Sequence, residues 1–421
     1  MDVAIIGTGI AGMGCAHFLY KKFNLTIFEQ NNYVGGHTNT AYVNEDEKLI
    51  PIDTGFIVFN NFTYPNLTRL FKELNVEVQN TDMSFSVQHK PSNLEYSGTG
   101  LDGLFAQRKN IFSPAHIKFL LQINRFNKEC VKVLEDRKYD SYSLKQFVEE
   151  EGYGEDFLYK YLAPMSSALW STPTDITLQF PAAALVRFFK NHGYLGLDTQ
   201  FQWLTVKNGS WQYRDKLIAP FKDKIRTALS VIAIDRSGGK IKIKSSDGRE
   251  QEFDKVIFAC HADQALKILG TQATDLEKSL LSNFQYQKNI ATLHTDASLM
   301  PKLRKVWSAW NYSIENINGT MQAHTIYYMN QLQKVSDKKD YFLSINEPGT
   351  VHPGKILKTI IYDHPIFTPG AYKAQAELSK LNENGALFFC GSYFKYGFHE
   401  DAFTSAIQLC RQLTGEKIWQ E

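Results

Sequence analysis

The chain has 421 residues, of which 43% are hydrophobic and 21% are charged, and its formal net charge is +2. These values are ordinary for a folded protein and exclude a disordered or fibrous chain. Lys and Arg are interspersed among Asp and Glu, so there is no basic field for nucleic acid. The length exceeds what one hydrophobic core usually serves, and we therefore expect two lobes.

The cysteines are scattered and include no Cys-x-x-Cys pair: Cys15, Cys130, Cys260, Cys390 and Cys410. An odd, scattered set is typical of reduced thiols, so we expect a cytoplasmic protein without disulfides and without a metal site. No run of about 18 apolar residues occurs, which argues against a membrane-spanning helix. Contact with a membrane surface stays open.

The N-terminal segment has the pattern of a strand, a helix and a second strand. Residues 3–6 are an apolar run before a glycine-rich turn, residues 11–22 carry small and apolar side chains at helical spacing, and residues 25–28 are another apolar run. This order predicts a βαβ unit. In residues 65–74 apolar side chains recur every three or four positions, which predicts a helix.

From there to about residue 192 we expect mainly helices, and after it mainly strands. The expected elements are helices at 117–134 and 144–148, loops at 97–100 and 171–175, a hairpin of strands 230–234 and 240–244, a strand at 255–259, a sheet within 282–346, a strand at 386–390 and a helix at 402–413. The chain therefore ends as it begins, with a strand, a glycine and a helix.

The first glycine turn has the spacing of a dinucleotide site, Gly7-x-Gly9-x-x-Gly12, between a predicted strand and a predicted helix. Gly7 permits the tight turn, Gly9 lets the backbone approach a pyrophosphate, and Gly12 lets helix and strand pack closely. The helix N-terminus adds amide hydrogens and the positive end of its dipole. Glu29 ends the second strand at the spacing expected for a carboxylate that accepts ribose hydroxyls, which disfavours NADP.

A second glycine pair follows in Val34-Gly35-Gly36-His37-Thr38. A double glycine after the acidic residue favours FAD over NAD, because a second loop can then reach the phosphates of the cofactor. A plain turn is the alternative interpretation of the pair.

With these residues in place, the chain resembles the flavin amine oxidase superfamily, which includes monoamine and polyamine oxidases, protoporphyrinogen oxidase and phytoene desaturases. Segments at Asp53 to Asn60, Leu293 to Asp296, Trp310 to Tyr312, Met329 to Gln333 and Gly397 to Asp401 resemble one branch of it. That branch contains predicted NAD/FAD-binding oxidoreductases. It is similar to the oxidase-like N-terminal domain of plant cyclopropane fatty-acid synthases and to fatty-acyl desaturases of furan fatty-acid synthesis.

The resemblance implies an α/β fold with an α+β substrate lobe. It consists of a Rossmann-type FAD-binding domain that is discontinuous in sequence, and a mixed sheet-and-helix substrate domain of the amine oxidase kind. We expect the FAD-binding domain at 1–75, 200–280 and 380–421, and the substrate domain at 76–199 and 281–379.

The resemblance also assigns residues to the cofactor. The expected FAD-binding residues are Gly7, Gly9, Ile10, Ala11, Gly12, Glu29, Gln30, Gly35, Gly36, His37, Thr38, Thr54, Gly55, Phe56, Val231, Gly391, Ser392, Asp401 and Ala402. The expected neighbours of the isoalloxazine ring are Phe56, Phe59, Trp170, Tyr393, Tyr396 and His399, and no catalytic residue is assigned. His261 is interpreted as structural.

Some positions depart from the superfamily pattern or allow two interpretations. His37 stands where Arg is common, and Ser392 where an acid is common, so both contacts to the cofactor should be weaker. Asp401 either acts near the flavin pyrimidine edge or caps the final helix. A Ser-Gly-Gly-Cys-Tyr attachment sequence is absent, and we therefore expect noncovalent FAD.

The resemblance implies an FAD-dependent oxidase, dehydrogenase or desaturase that removes hydride from a C–H bond of a fatty acyl or lipid substrate. A flavin amine oxidase is the first alternative. A catalytically silent flavoprotein partner of a lipid methyltransferase is the second. Peripheral contact with the inner face of the membrane stays open as an expectation.

Overall fold

The computed structural model describes residues 1–139, 141–196, 201–383 and 385–419. Its strands, in chain order, are β1 (Asp2–Ile6), β2 (Asn24–Phe28), β3 (Thr40–Glu45), β4 (Lys48–Asp53), β5 (Phe59–Asn60), β6 (Val78–Thr81), β7 (Phe85–His89), β8 (Leu94–Ser97), β9 (Trp203–Val206), β10 (Ile225–Arg226), β11 (Val231–Asp235), β12 (Ile241–Ser245), β13 (Glu250–Phe253), β14 (Lys255–Phe258), β15 (Gln285–His294), β16 (Trp310–Ile317), β17 (Thr320–Tyr328), β18 (Phe342–Ile345), β19 (Ile356–Ile366) and β20 (Leu387–Phe389).

The α-helices, in chain order, are α1 (Ile10–Leu19), α2 (Pro65–Glu73), α3 (Gly100–Leu104), α4 (Pro114–Glu129), α5 (Leu144–Glu150), α6 (Glu155–Phe157), α7 (Ala163–Trp170), α8 (Thr174–Thr177), α9 (Ala182–Asn191), α10 (Trp211–Ile218), α11 (Ala262–Leu269), α12 (Asp275–Leu281), α13 (Met329–Gln333), α14 (Pro369–Gln375) and α15 (His399–Thr414). A π-helical turn, Leu158–Leu162, joins α6 to α7.

Five parallel strands form the first sheet, in the order β10–β2–β1–β14–β20. Residues 3–6 of β1 are buried on both faces of the sheet, which explains why the central strands are near-continuous apolar runs. β1, α1 and β2 follow one another along the chain, and β1 pairs with β2 in parallel. The predicted βαβ unit is therefore confirmed.

The two faces of this sheet are covered by different layers. On one face α1 packs against α15 so closely that a Cβ on Gly14 would come within 2.8 Å of the Phe403 ring. On the other face Val231 and Ile234, from the antiparallel sheet β11–β12–β13, share a core with Phe28 and Phe258. The glycine at position 14 thus lets the first and last helices of the chain meet.

Seven strands form the second sheet, in the order β19–β15–β18–β17–β16–β7–β8. Its longest pairing joins β15 and β19 antiparallel, and β16 pairs with β7 in parallel. Helices α3 to α9 lie in the chain between β8 and β9. A parallel sheet with helices and a separate mixed sheet give the α/β fold class that the sequence predicts.

Some stretches differ from the sequence-based expectation. Strands β6 to β8 lie in a region that was expected to be helical, because β7 pairs with the distant β16 and local periodicity carries no sign of such a partner. The helix expected at 117–134 ends at Glu129 and continues as a 3-10 turn, Cys130–Leu134. β19 lies beyond the expected sheet at 282–346, and the hairpin β3–β4 was not expected.

The predicted boundary between residues 199 and 200 lies outside the described residues, as does the end of the predicted C-terminal segment at 420–421. Among the helices that the structure describes, none is long and apolar enough to cross a membrane.

Candidate active site

A cavity of about 780 Å³ lies at the carboxyl ends of the parallel strands, where open α/β sheets bind their ligands. Its wall includes residues within two positions of the ends of β1, β14 and β20, namely Gly7, Ala259 and Gly391. The opposite wall comes from the second sheet, through Trp310 of β16 and Tyr327 of β17. A ligand in this cavity would therefore touch both sheets.

The glycine turn at the start of α1 forms an anion-binding end of the cavity. Gly7 has a φ of +103°, and a Cβ there would lie 2.7 Å from the carbonyl oxygen of Ala259. A Cβ on Gly12 would lie 2.0 Å from the carbonyl oxygen of Gly7, whereas one on Gly9 would meet nothing within 4 Å. Among the described residues, no side chain caps the N-terminus of α1. The free amides and the open space at Gly9 fit a pyrophosphate group.

The second glycine loop lies against the first. A Cβ on Gly36 would come within 3.2 Å of the Cα of Gly9, and a Cβ on Gly35 within 2.5 Å of the carbonyl oxygen of Thr38. Both glycines have positive φ, +125° for Gly35 and +59° for Gly36. Side chains at these positions would block the approach of the two loops. The pair therefore packs against the first glycine turn rather than forming a plain surface turn.

Glu29 is buried at the end of β2 and lines the cavity. Its carboxylate accepts hydrogen bonds from the Thr8 amide at 3.0 Å and the Thr8 hydroxyl at 2.5 Å, and from the Asn31 amide at 2.8 Å. Each carboxylate oxygen can accept two hydrogen bonds. Oε2 accepts both bonds from Thr8 and Oε1 accepts the one from Asn31, so Oε1 can still accept a bond from a ribose hydroxyl. The protein donors fix its position beside the glycine turn.

Most of the predicted cofactor residues reach the cavity wall. Those that line it are Gly7, Gly9, Ile10, Ala11, Glu29, Gln30, Gly36, His37, Gly55, Phe56, Val231, Gly391, Ser392 and Ala402. Those that lie behind it are Gly12, Gly35, Thr38, Thr54 and Asp401. Of the predicted ring neighbours, the wall contains Phe56, Trp170, Tyr393 and His399, while Phe59 and Tyr396 lie outside it.

Thr38 is turned away from the cavity by its own hydrogen bonds. Its hydroxyl contacts the hydroxyl of Tyr213, and lies 3.1 Å from Nε2 of His399. The His399 ring stacks on Phe56 with centroids 4.0 Å apart, and its Nε2 lies 3.0 Å from the Tyr213 hydroxyl. Burial lowers the pKa of His399 to about 3, so the imidazole is neutral. This cluster fixes Phe56 and His399 as one stacked unit in the wall.

Three neutral histidines meet beside the second glycine loop. The ring centroid of His37 lies 5.1 Å from that of His364 and 4.8 Å from the stacked ring of Tyr362. Burial lowers the pKa of His37, His261 and His364, to about 4 for His364. Nε2 of His37 and Nδ1 of His261 are buried and have no hydrogen-bond partner among the described residues. These atoms are free to bond a ligand in the cavity.

Two acidic residues at the start of α15 hold backbone groups. Asp401 accepts a hydrogen bond from the Phe398 amide at 3.0 Å, which caps its own helix. Glu400 accepts bonds from the amides of Asn66 and Leu67 at 3.0 and 2.9 Å, which caps the first turn of α2. Burial raises the pKa of Asp401 to about 7. Asp401 therefore caps α15, which is one of the two roles expected for it.

The loop beside Phe56 is anchored by a buried carboxylate that sequence reasoning did not assign. Asp53 accepts bonds from the Ser210 amide and hydroxyl, the Thr40 hydroxyl and the Gln333 side chain. Asp53 and Gln333 both lie in segments that resemble the superfamily branch. That resemblance was the only sign in the sequence that the two residues matter to the site. The wall residues Tyr362 and His364 were missed because β19 was not recognised as a strand.

Away from the glycine turn, the cavity wall is apolar and aromatic. Its residues there are Ile57, Val58, Tyr64, Met83, Leu169, Phe188, Trp203, Trp310 and Tyr327. Ring contacts run outward from Phe56 to Phe59 at 6.4 Å, on to Tyr64 at 6.5 Å and then to Trp203 at 6.3 Å. The carboxylates among the described wall residues are Glu29, beside Thr8, and Asp363, which acts on the pKa of His261. No carboxylate of the described wall lies in the apolar part.

The sequence profile of a family described as flavin containing amine oxidoreductase matches residues 10–298, more than half of the chain. The chain belongs to this family. It is thus a member of a family of flavin-dependent oxidoreductases, as the sequence predicts, and the finer branch within it stays a prediction. The match covers α1, Glu29, the second glycine loop and the wall strands β2, β9 and β11, and it ends before β16, β17 and β19.

Comparison with individual proteins gives short sequence matches and several whole-chain structural matches. The 15-cis-phytoene desaturase of Synechococcus elongatus is 40% identical over 78 residues, which is 18% of this chain and 16% of that protein. Cyclohexylamine oxidase from Brevibacterium oxydans superposes with a TM-score of 0.71 at 16% identity, covering 98% of this chain and 99% of that one. A CLA-producing fatty acid isomerase from P. acnes superposes with a TM-score of 0.67 at 14% identity, covering 99% and 98%. These structural matches establish the amine oxidase-like fold.

Proposed function

We propose that this protein uses noncovalently bound FAD to remove hydride from a C–H bond of a fatty acyl or lipid substrate. The observation that carries the proposal is the apolar part of the cavity, in which the described wall contains aromatic and aliphatic side chains and no carboxylate. An amine substrate is a cation, and its burial in such a wall without a partner is costly. An acyl chain carries no charge along its length, so burying it in this wall has no such cost.

The two glycine loops and Glu29 together fit a dinucleotide, and this fit supports FAD as the cofactor. The uncapped N-terminus of α1 suits the pyrophosphate, and Glu29 suits the adenosine ribose. Cys260 is the cysteine of the described wall, and burial raises its pKa far above the usual range. The contact with the Cys15 thiol, together with burial, also raises the pKa of Cys390. Neutral, buried thiols are poor nucleophiles, which supports noncovalent binding.

Bound flavin would supply the electron sink for hydride, so the chain needs no paired acid and base. The protein's own contribution is position and exclusion of water. The stacked Phe56 and His399 form a rigid wall, and neutral His399 places no cation there. The apolar side chains near Met83 and Trp203 would hold a hydrocarbon segment against that wall by burying it.

Two similar proteins have names that agree with this substrate class. One is a phytoene desaturase and the other a CLA-producing fatty acid isomerase. Their likeness is short in the first case and confined to the fold in the second, so they support the proposal without specifying the acyl substrate. We place the protein in the lipid-acting branch of the superfamily on the same grounds. The resemblance to that branch is also the reason to expect a lipid methyltransferase as a partner.

Anaerobic mixing tests the proposal. The purified flavoprotein is mixed without oxygen with fatty acids, phospholipids, monoamines or polyamines, and the flavin absorbance is followed. We expect bleaching by an acyl lipid and none by amines. Bleaching by amines alone would make the protein an amine oxidase, and no bleaching by any compound would favour a silent flavoprotein partner; either result overturns the proposal.

A matched pair of variants locates the substrate. Met83 is buried in the apolar part of the wall. Met83→Lys places a charge there and should abolish bleaching by lipid while flavin stays bound, because burying an unpaired ammonium is costly. Met83→Leu conserves volume and apolar character and should bleach like the wild type. Equal bleaching of both variants would show that the substrate does not use this part of the cavity.

A further inference from the structure

Large apolar side chains are exposed on three successive elements away from the cavity. These elements are α3, the 3-10 turn Arg108–Phe112 and α4. The exposed fractions are 72% for Leu101, 46% for Ile111, 87% for Phe112, 38% for Ile117 and 61% for Leu121. Single exposed apolar residues are ordinary, but several on elements that pack together indicate an interaction surface. We call these five residues the α3–α4 patch. None of them lines the cavity.

The elements that carry the patch are held together. His116 of α4 lies with its Nε2 3.0 Å from the carbonyl oxygen of Leu104 in α3, and its ring centroid is 5.4 Å from that of Phe105. Ile117 and Leu121 are four residues apart and therefore share one side of α4. Phe119, on the other side, is buried. The patch is thus the outer surface of a fixed unit rather than a loose loop.

The surroundings of the patch are basic. Between residues 100 and 121 the chain has Arg108, Lys109 and Lys118 against one acid, Asp102. Asp102 is already paired with Arg108, and lies 3.8 Å from Lys305. Lys109 and Lys118 are exposed and form no ion pair with a described residue. Exposed Phe and Leu flanked by free lysines are the combination that partitions into an anionic bilayer surface.

We propose that the α3–α4 patch docks the protein on an anionic lipid surface. A second copy of the chain fits the patch less well, because a two-fold contact would bring Lys109 and Lys118 against the same charges of its partner. On a bilayer, the five apolar side chains enter the boundary of the acyl region, while the lysines meet lipid phosphates. This inference does not depend on the flavin chemistry.

Vesicle co-sedimentation of the purified holoprotein tests the docking surface. We expect binding to vesicles that contain phosphatidylglycerol, weaker binding to pure phosphatidylcholine, and loss of the difference at high salt. The double variant Phe112→Ser with Leu121→Ser should lower binding to the anionic vesicles about ten-fold or more, because both side chains lose their burial. Lys109→Glu with Lys118→Glu should weaken binding to the anionic vesicles alone.

Leu49→Ser is the matched control, since Leu49 is 63% exposed on β4 and lies outside the patch; it should bind like the wild type. Absence of wild-type binding to any vesicle, or equal binding by the Phe112/Leu121 variant, overturns the proposal. A wild-type dimer that this variant converts to monomer also overturns it, in favour of a second copy. Vesicle binding requires no flavin turnover, so failure of lipid to bleach the flavin would leave this result unchanged.

Discussion

Gln333 holds Asp53 by two hydrogen bonds across 280 residues of the chain. The side-chain oxygen Oε1 of Gln333 accepts from the Asp53 backbone amide at 2.8 Å, and the side-chain nitrogen Nε2 donates to the Asp53 carboxylate at 2.6 Å. Gln333 ends α13, beside the second sheet, whereas Asp53 ends β4, directly before the loop that carries Phe56. The pair therefore fastens the loop in the cavity wall to the second sheet.

Gln333→Leu should destabilise the protein by about 1–3 kcal/mol, because the buried Asp53 amide loses its acceptor and the Asp53 carboxylate loses one of its donors. Gln331→Leu is the control, since Gln331 lies on the same helix but bonds the exposed Asp82. Urea unfolding of both variants measures the difference. Equal stability of the two variants would mean that the Asp53–Gln333 pair contributes nothing.

The glycines of the first turn should respond differently to substitution. Gly9→Ala should fold, because its φ of −61° suits alanine and its Cβ would meet no atom within 4 Å. Its methyl group would occupy the space assigned to the pyrophosphate, so FAD affinity should fall about ten-fold or more. Gly12→Ala should instead unfold or weaken the turn, since its Cβ would lie 2.0 Å from the Gly7 carbonyl oxygen.

Thermal melting separates folding from affinity in these variants, and titration of the apoprotein with FAD measures the affinity. If Gly9→Ala binds FAD as tightly as the wild type, the pyrophosphate does not lie at the N-terminus of α1.

The sequence predicts best where a local pattern is sufficient. The βαβ unit follows from two apolar runs and the glycine spacing, all within residues 3–28. The final helix α15 follows from the apolar periodicity of residues 402–413. Strands β7 and β19 could not be found in this way, because each is defined by a partner distant in sequence and by mixed polar composition.

In the candidate site too, residues with a local motif were predicted, and residues placed by distant partners were not. Gly7, Gly9 and Glu29 carry motif spacing, and the structure places them together at one end of the cavity. The direction in which Thr38 points depends on Tyr213, for which no motif exists. His364 joins His37 only through the pairing of β19 with β15, so the histidine cluster required the assembled second sheet.

The buried carboxyl of Asp401 gives a pH dependence of stability. Burial raises its pKa to about 7, while Lys395 lowers it and Glu400 raises it; an unfolded Asp titrates near 4. Between these values the folded protein binds more protons than the unfolded one, so the free energy of unfolding falls as pH rises from about 4 to about 7. At pH 8 the cost should be on the order of 4 kcal/mol.

Asp401→Asn should remove this part of the pH dependence, while Asp235→Asn, at an exposed position, should keep it. Urea unfolding of the apoproteins at pH 5 and pH 8 gives the comparison. Parallel loss of stability in the wild type and in Asp401→Asn would show that Asp401 is ionised in the folded protein at both values.

The central claim is that the two glycine loops and Glu29 hold FAD without a covalent bond. The most direct measurement is to denature the purified protein without proteolysis and to identify the released small molecule by absorbance and mass spectrometry. We expect FAD, close to one per chain, free in solution after denaturation. A colourless protein that FAD cannot reconstitute, or a flavin that stays on the denatured chain, would contradict it.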